Sequence, residues 1–92
     1  MTVRWAPTAA RDLVSLHEFI SDENPRAAGT IVDQILAGVE TLAEYPHLGR
    51  SGRVPGTREL VVAPFVVAYR VGGPPVEILA MLHGSRRWPD SF

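Results

Sequence analysis

A chain of 92 residues, 46% apolar and 21% charged, has the length for one core and the apolar content of a single globular domain spanning residues 1–92. It has no cysteine, which excludes a disulfide framework and thiolate metal ligands. The net charge of −1 conceals an asymmetry: three arginines face seven carboxylates in residues 1–49, and six arginines face three carboxylates in residues 50–92.

All nine basic residues are arginine, so every positive charge is a permanent guanidinium and no lysine ammonium can serve as acid or base. The basic half points to an anionic partner. Six arginines in a near-neutral chain fall short of a nucleic-acid-binding domain, and sequence-specific DNA binding by this chain alone is not expected. The start Met-Thr-Val-Arg-Trp lacks the charged and apolar regions of a signal peptide, and the run from Leu60 to Tyr69 is too short for a bilayer. A cytoplasmic protein without membrane association is the expectation.

Val3-Arg4-Trp5 is a short strand candidate ended by Pro7, which suits the first turn of a helix. Ala9, Leu13, Leu16 and Ile20 then recur at spacings of four, three and four, one apolar helical stripe. Asn24 and Pro25 supply the N-cap and first position of a second helix, with the stripe Ala28, Ile31, Ile35, Val39 and Leu42 and an end near Tyr45-Pro46. So short a connection predicts an antiparallel helical hairpin. Residues 46–56 form a Gly/Pro-rich connector, and three strand-like runs follow at Thr57–Ala63, Phe65–Val71 and Val76–His83. The predicted fold is α+β, in the order β-α-α-β-β-β, with the helical hairpin packed on a small antiparallel sheet.

Strict alternation assigns the faces of that sheet. Phe65, Val67, Tyr69 and Val71, with Val76, Ile78, Ala80 and Leu82, are expected to face the helices. The other face would show Glu59, Val61, Val66, Ala68, Arg70, Glu77, Leu79, Met81 and His83. So apolar a face should not lie bare, and a protein partner is the expected cover.

The densest chemistry lies at the end of the chain, Leu82-His-Gly-Ser-Arg-Arg-Trp-Pro89. Histidine trades protons near neutrality, arginine grips anions, and tryptophan anchors interfaces. A tail packed back on Val3 or Trp5 is the structural alternative. Arg58 and Glu59 are expected as a cross-strand or loop-anchoring pair, and Arg70 is open between loop carbonyls and Glu77. His17 and His47 read as surface residues, and Trp5 and Tyr69 as core. No two histidines stand at metal-ligand spacing, so neither a metal nor another cofactor is expected.

The chain resembles the RelE/ParE superfamily of bacterial toxins over nearly its whole length. The resemblance is carried by Pro7-x-Ala9-x-x-Asp12-Leu13, Asn24-Pro25-x-Ala27-Ala28, Pro46-x-Leu48-Gly49-Arg50-x-Gly52-Arg53, Gly56-Thr57-Arg58-Glu59-Leu60, Tyr69-Arg70-Val71 and Ile78 through Pro89. It implies a growth-inhibiting toxin of a type II toxin–antitoxin pair, neutralised by a cognate antitoxin.

One arm of the superfamily poisons DNA gyrase, and the other cleaves mRNA on the ribosome. The ParE-like gyrase poison is the preferred reading, since lysine is absent and apolar residues crowd the open face. That reading assigns target binding to Arg50, Arg53, Arg58, Arg86, Arg87 and Trp88. It assigns antitoxin binding to Val61, Val66, Leu79 and Met81. The alternative, a RelE-like endoribonuclease, would use Glu59 as base, His83 as acid and Arg70 or Arg86 to stabilise charge.

Overall fold

Prolines and caps set where the helices begin. The computed structural model describes residues 1–92. Helix α1 (Pro7–Ser21) starts on Pro7 with no side-chain cap, while Ala6 donates its N–H to the Ile78 carbonyl at 2.8 Å. Helix α2 (Pro25–Glu44) is capped by Asn24, whose Oδ1 accepts the Ala27 N–H at 3.1 Å. Neither helix is long and apolar enough to cross a membrane.

The strands are β1 (Val3–Trp5), β2 (Arg50–Ser51), β3 (Arg58–Val62), β4 (Phe65–Val71) and β5 (Val76–His83), in the sheet order β1-β5-β4-β3-β2. The predicted α+β class and the hairpin-on-sheet architecture hold. Two details differ. The connector contains the extra strand β2, which pairs Arg50 with Glu59. The sheet is also mixed rather than wholly antiparallel, because β1 runs parallel to β5 from Val3↔Val76 to Trp5↔Ile78.

Ala9, Ile35, Val39 and Leu42 from the helices pack against Val67, Tyr69, Val76, Ile78 and Met81 from the sheet. Met81 in that list contradicts strict alternation. Along β4 and β5, Ala68 pairs with Ala80 but Tyr69 pairs with Ile78, so Leu79 is an extra residue on β5. A bulge of one residue exchanges the faces of everything beyond it. Met81 and His83 therefore oppose Val67 and Phe65 on the helix side, while Ala80 and Leu82 oppose Ala68 and Val66 on the far side. The expected inward pair Ala80 and Leu82 and the expected outward pair Met81 and His83 are thus exchanged.

Beyond Trp5, strand β1 no longer borders β5, and Asp12 of α1 takes over. Its Oδ2 accepts the Met81 N–H at 3.0 Å. The far face is not bare either. Val66, Ala68 and Ala80 are buried within the chain, Arg53 of the connector reaches Glu59 and the Gly84 carbonyl, and Gly84 lies against Pro64 and Val66. The chain's own connector and C-terminal segment supply part of the cover expected from a partner, and Val61 on that face stays half exposed.

Candidate target-binding surface

The sequence asymmetry becomes a two-sided molecule. The helical hairpin holds seven carboxylates and two arginines, whereas the strands, connector and C-terminal segment hold seven arginines and three carboxylates.

On the far face of β3, Glu59 is only 2% exposed. Its Oε1 accepts from Arg50 Nη2 at 2.9 Å and Nε at 3.2 Å, and its Oε2 accepts the Arg53 backbone N–H at 2.8 Å. Burial is the largest single influence on this carboxyl and pushes its pKa up. The Arg53 N–H, the Arg50 hydrogen bonds and the two guanidinium charges together outweigh it and hold the pKa below the ordinary glutamate value of 4.5. A carboxylate held this way is a poor general base, since such a base needs a pKa near neutrality.

The sign of this shift has a consequence for stability. The unfolded chain takes up the proton more readily than the folded one. The contribution of Glu59 is complete above about pH 5 and is lost as the pH falls through the lowered folded value. Urea titrations at pH 7 and pH 4 should therefore show a larger loss of midpoint for the unaltered protein than for Glu59→Gln. Equal losses would mean that Glu59 is not held as a carboxylate.

Arg58 has a separate task. Its Nη1 donates to the Gly49 carbonyl at 2.7 Å and to the His47 carbonyl at 3.4 Å, pinning the start of the connector. Tyr69, fully buried, completes that anchor: its hydroxyl donates to Pro46 O at 2.9 Å and accepts the Gly49 N–H at 2.8 Å. Burial, the main influence, raises the Tyr69 pKa, which the Gly49 bond and Arg58 only partly offset. Arg58 and Glu59 are thus both loop anchors, though not of each other.

Arg70 stands at the opposite end of β4, 3.8 Å from Glu77, which also binds Arg4 at 2.6 Å. His83 lies on the helix side. Its Nδ1 accepts the Ser85 N–H at 3.1 Å and meets the Ser85 hydroxyl at 2.7 Å, and its ring meets Phe65 edge-on at 5.7 Å. Arg86 joins His83, Phe65, Asp12 and Phe19 around an open groove of about 520 Å³ between α1 and the end of β5.

The four residues named for RNA cleavage are therefore not gathered. His83 pairs with Phe65, and Arg70 is five positions along the same strand, about 16 Å away at the usual strand rise. Glu59 lies on the far face between them and is sealed. Only His83 and Arg86 share a wall.

The residues named for target binding divide differently. Arg53 stacks on Trp88, its guanidinium carbon 3.9 Å from the ring centroid, and Trp88 meets Phe92 edge-on at 6.4 Å. Trp88 packs on Arg53, not on Val3 or Trp5. Arg86 and Arg87 are exposed, with no side-chain hydrogen bond or ion pair inside the chain. Of the four residues named for the antitoxin, only Val61 is exposed, at 50%. Val66, Leu79 and Met81 are buried inside the chain.

The sequence profile of the ParE toxin of the type II toxin–antitoxin system parDE matches residues 3–88. The chain belongs to the ParE toxin family. It is 42% identical to putative toxin Y4kP of Sinorhizobium fredii, over 96% of this chain and 93% of that protein. It is 31% identical to toxin RelE2 of Caulobacter vibrioides, over 91% and 96%. Among solved structures, the chromosomal ParDE system of P. aeruginosa superposes with a TM-score of 0.81 at 30% identity, covering 90% of this chain and 95% of that one. The RelBE2 toxin–antitoxin complex of Mycobacterium tuberculosis gives 0.62 at 28% identity, covering 89% and 95%.

This ParE-family toxin is thus a toxin component of a type II system, within the wider RelE/ParE fold. Three features of its surface escaped the sequence reading. The exposure of Phe19, at 76%, was masked because it falls beside a helical stripe. Asp12 was visible only as a motif position, and its bond to Met81 needs the bulge. The seat of Trp88 on Arg53 joins residues 35 positions apart that share no local pattern.

Proposed function

We propose that this toxin poisons DNA gyrase through a protein–protein contact made by its C-terminal segment, with no chemistry of its own. The observation that carries the reading is the dispersal of the acid–base residues: Glu59 clamped on one face, His83 on the other, Arg70 at the far end of the strand. Exposed Arg86 and Arg87 beside Trp88 have the composition of an interface anchor. Antitoxin binding belongs to the groove beside Phe19 and Phe65, which leaves Val61 as a peripheral contact. An exposed phenylalanine beside an apolar-walled groove suits an amphipathic segment of a partner.

Purified toxin in a supercoiling assay should inhibit gyrase or trap cleaved DNA, and should leave mRNA uncut on purified ribosomes. The proximity of His83 and Arg86 favours the second reading, a RelE-like endoribonuclease. Ribosome-dependent cleavage that disappears in His83→Ala would establish that reading and overturn the first.

A further inference from the structure

Glu59 lies mid-chain on β3, and the cationic segment lies beyond the last strand, yet one residue joins them. Arg53 places its backbone N–H 2.8 Å and its Nε 3.4 Å from Glu59 Oε2. Its guanidinium carbon stands 3.9 Å from the centroid of Trp88, and its Nη1 is 3.5 Å from the Gly84 carbonyl.

Little else ties the segment down. Past the bond from the Arg86 N–H to His83 O, no backbone hydrogen bond links residues 87–92 to the body. The buried Trp88 Nε1–H has no acceptor, so stacking rather than hydrogen bonding seats the indole. Cation–π stacking at an exposed arginine is weak when the guanidinium must first be ordered. A carboxylate that already fixes both the backbone and the Nε of Arg53 removes most of that ordering from the stack. A glutamate buried this deeply is uncommon, and it is kept in place by its partners, because a buried charge left without them is strongly destabilising.

We propose that Glu59 is a positioning residue for the toxic surface: through Arg53 it fixes the seat of Trp88, and so the direction in which Arg86 and Arg87 are presented. The proposal rests on reading the C-terminal segment as the target-binding surface.

Full-length toxin carrying Trp5→Phe, so that Trp88 is the sole tryptophan, provides the test. Glu59→Gln and Arg53→Ala should each raise acrylamide quenching of Trp88. Each should also speed hydrogen exchange of the Ser85 and Arg86 amides, the hydrogen-bonded ones of the segment, about tenfold, while α2 and β4 stay protected. The double variant should be no looser than either single one, because both cut the same connection. Growth inhibition should fall about tenfold or more in each.

Unchanged exchange in a folded Glu59→Gln protein, or additive loosening in the double variant, overturns the proposal. If Glu59→Gln does not fold, Arg53→Ala decides, and unchanged Trp88 quenching in it overturns the proposal. A loosened segment with undiminished growth inhibition overturns the target reading instead, and the exchange data then support the Glu59 connection by themselves.

Discussion

Replacing Met81 by aspartate should unfold the domain. Met81 is 5% exposed and packs in the core cluster with Ala9, Val67 and Ile78. An ionised carboxylate there would lose most of its hydration, and Asp12 already places its own carboxylate on the Met81 N–H at 3.0 Å. Burying an unpaired charge costs several kcal/mol before the lost packing is counted. A domain of this size has roughly 5–14 kcal/mol of total stability. The expected result is no cooperative thermal transition by circular dichroism. Met81→Leu, which nearly conserves volume, should lose less than about 1.5 kcal/mol. A Met81→Asp protein that melts near the unaltered one would put the residue on the far face and remove the bulge.

Why Met81 was misplaced shows what kind of information the sequence carries. The run Val76-Glu-Ile-Leu-Ala-Met-Leu82 is apolar on both parities, so alternation has no contrast to reveal an extra residue. The bulge is fixed by pairing with β4 and by Asp12, which lies 69 positions away. Helices were legible for the opposite reason. Pro7, Asn24 and Pro25 act on their own neighbours, and both apolar stripes repeat within a few residues. Strand β2 was hidden because two polar residues between glycines carry no periodicity. It exists because Glu59 draws Arg50 to the edge of β3.

The site follows the same division. That the arginines matter was readable from their concentration in the second half. Which of them hold the fold was not, because that depends on the path of the connector. Arg50 and Arg53 are bound to Glu59, Arg58 to the Gly49 carbonyl and Arg70 to Glu77. These four are engaged within the protein. Removing Arg50, Arg58 or Arg70 loosens the fold as well as any interface, so loss of toxicity in those variants would be ambiguous, and in an Arg53 variant it is read together with the protection of α2 and β4. Arg86 and Arg87 have no such internal duty.

Arg86→Ala should therefore give folded protein with largely lost toxicity, the sharpest separation of fold from function this surface allows. Only the Arg86 backbone N–H is engaged, by His83 O at 3.0 Å, and alanine retains that bond. A surface truncation of this kind shifts stability by about 0.5 kcal/mol at most. An arginine anchoring a partner interface contributes about 2 kcal/mol or more, a loss near thirtyfold in affinity on truncation. The amount of toxin needed for half-inhibition of gyrase supercoiling should rise accordingly while the melting temperature hardly moves.

Arg86→Lys then distinguishes charge from shape. A lysine keeps the positive charge but not the planar fork that pairs two-pronged with a carboxylate. Recovery in Arg86→Lys would indicate attraction to a diffuse acidic surface, and continued loss would indicate a paired carboxylate on the target. Trp88→Ala should also lose toxicity, but its stack on Arg53 is lost with it, so exchange of the Ser85 and Arg86 amides must be read alongside. A fully toxic Arg86→Ala, Arg87→Ala double variant would remove the C-terminal segment as the contact. The groove shared by Phe19, Phe65 and His83 would then be the surface to test next.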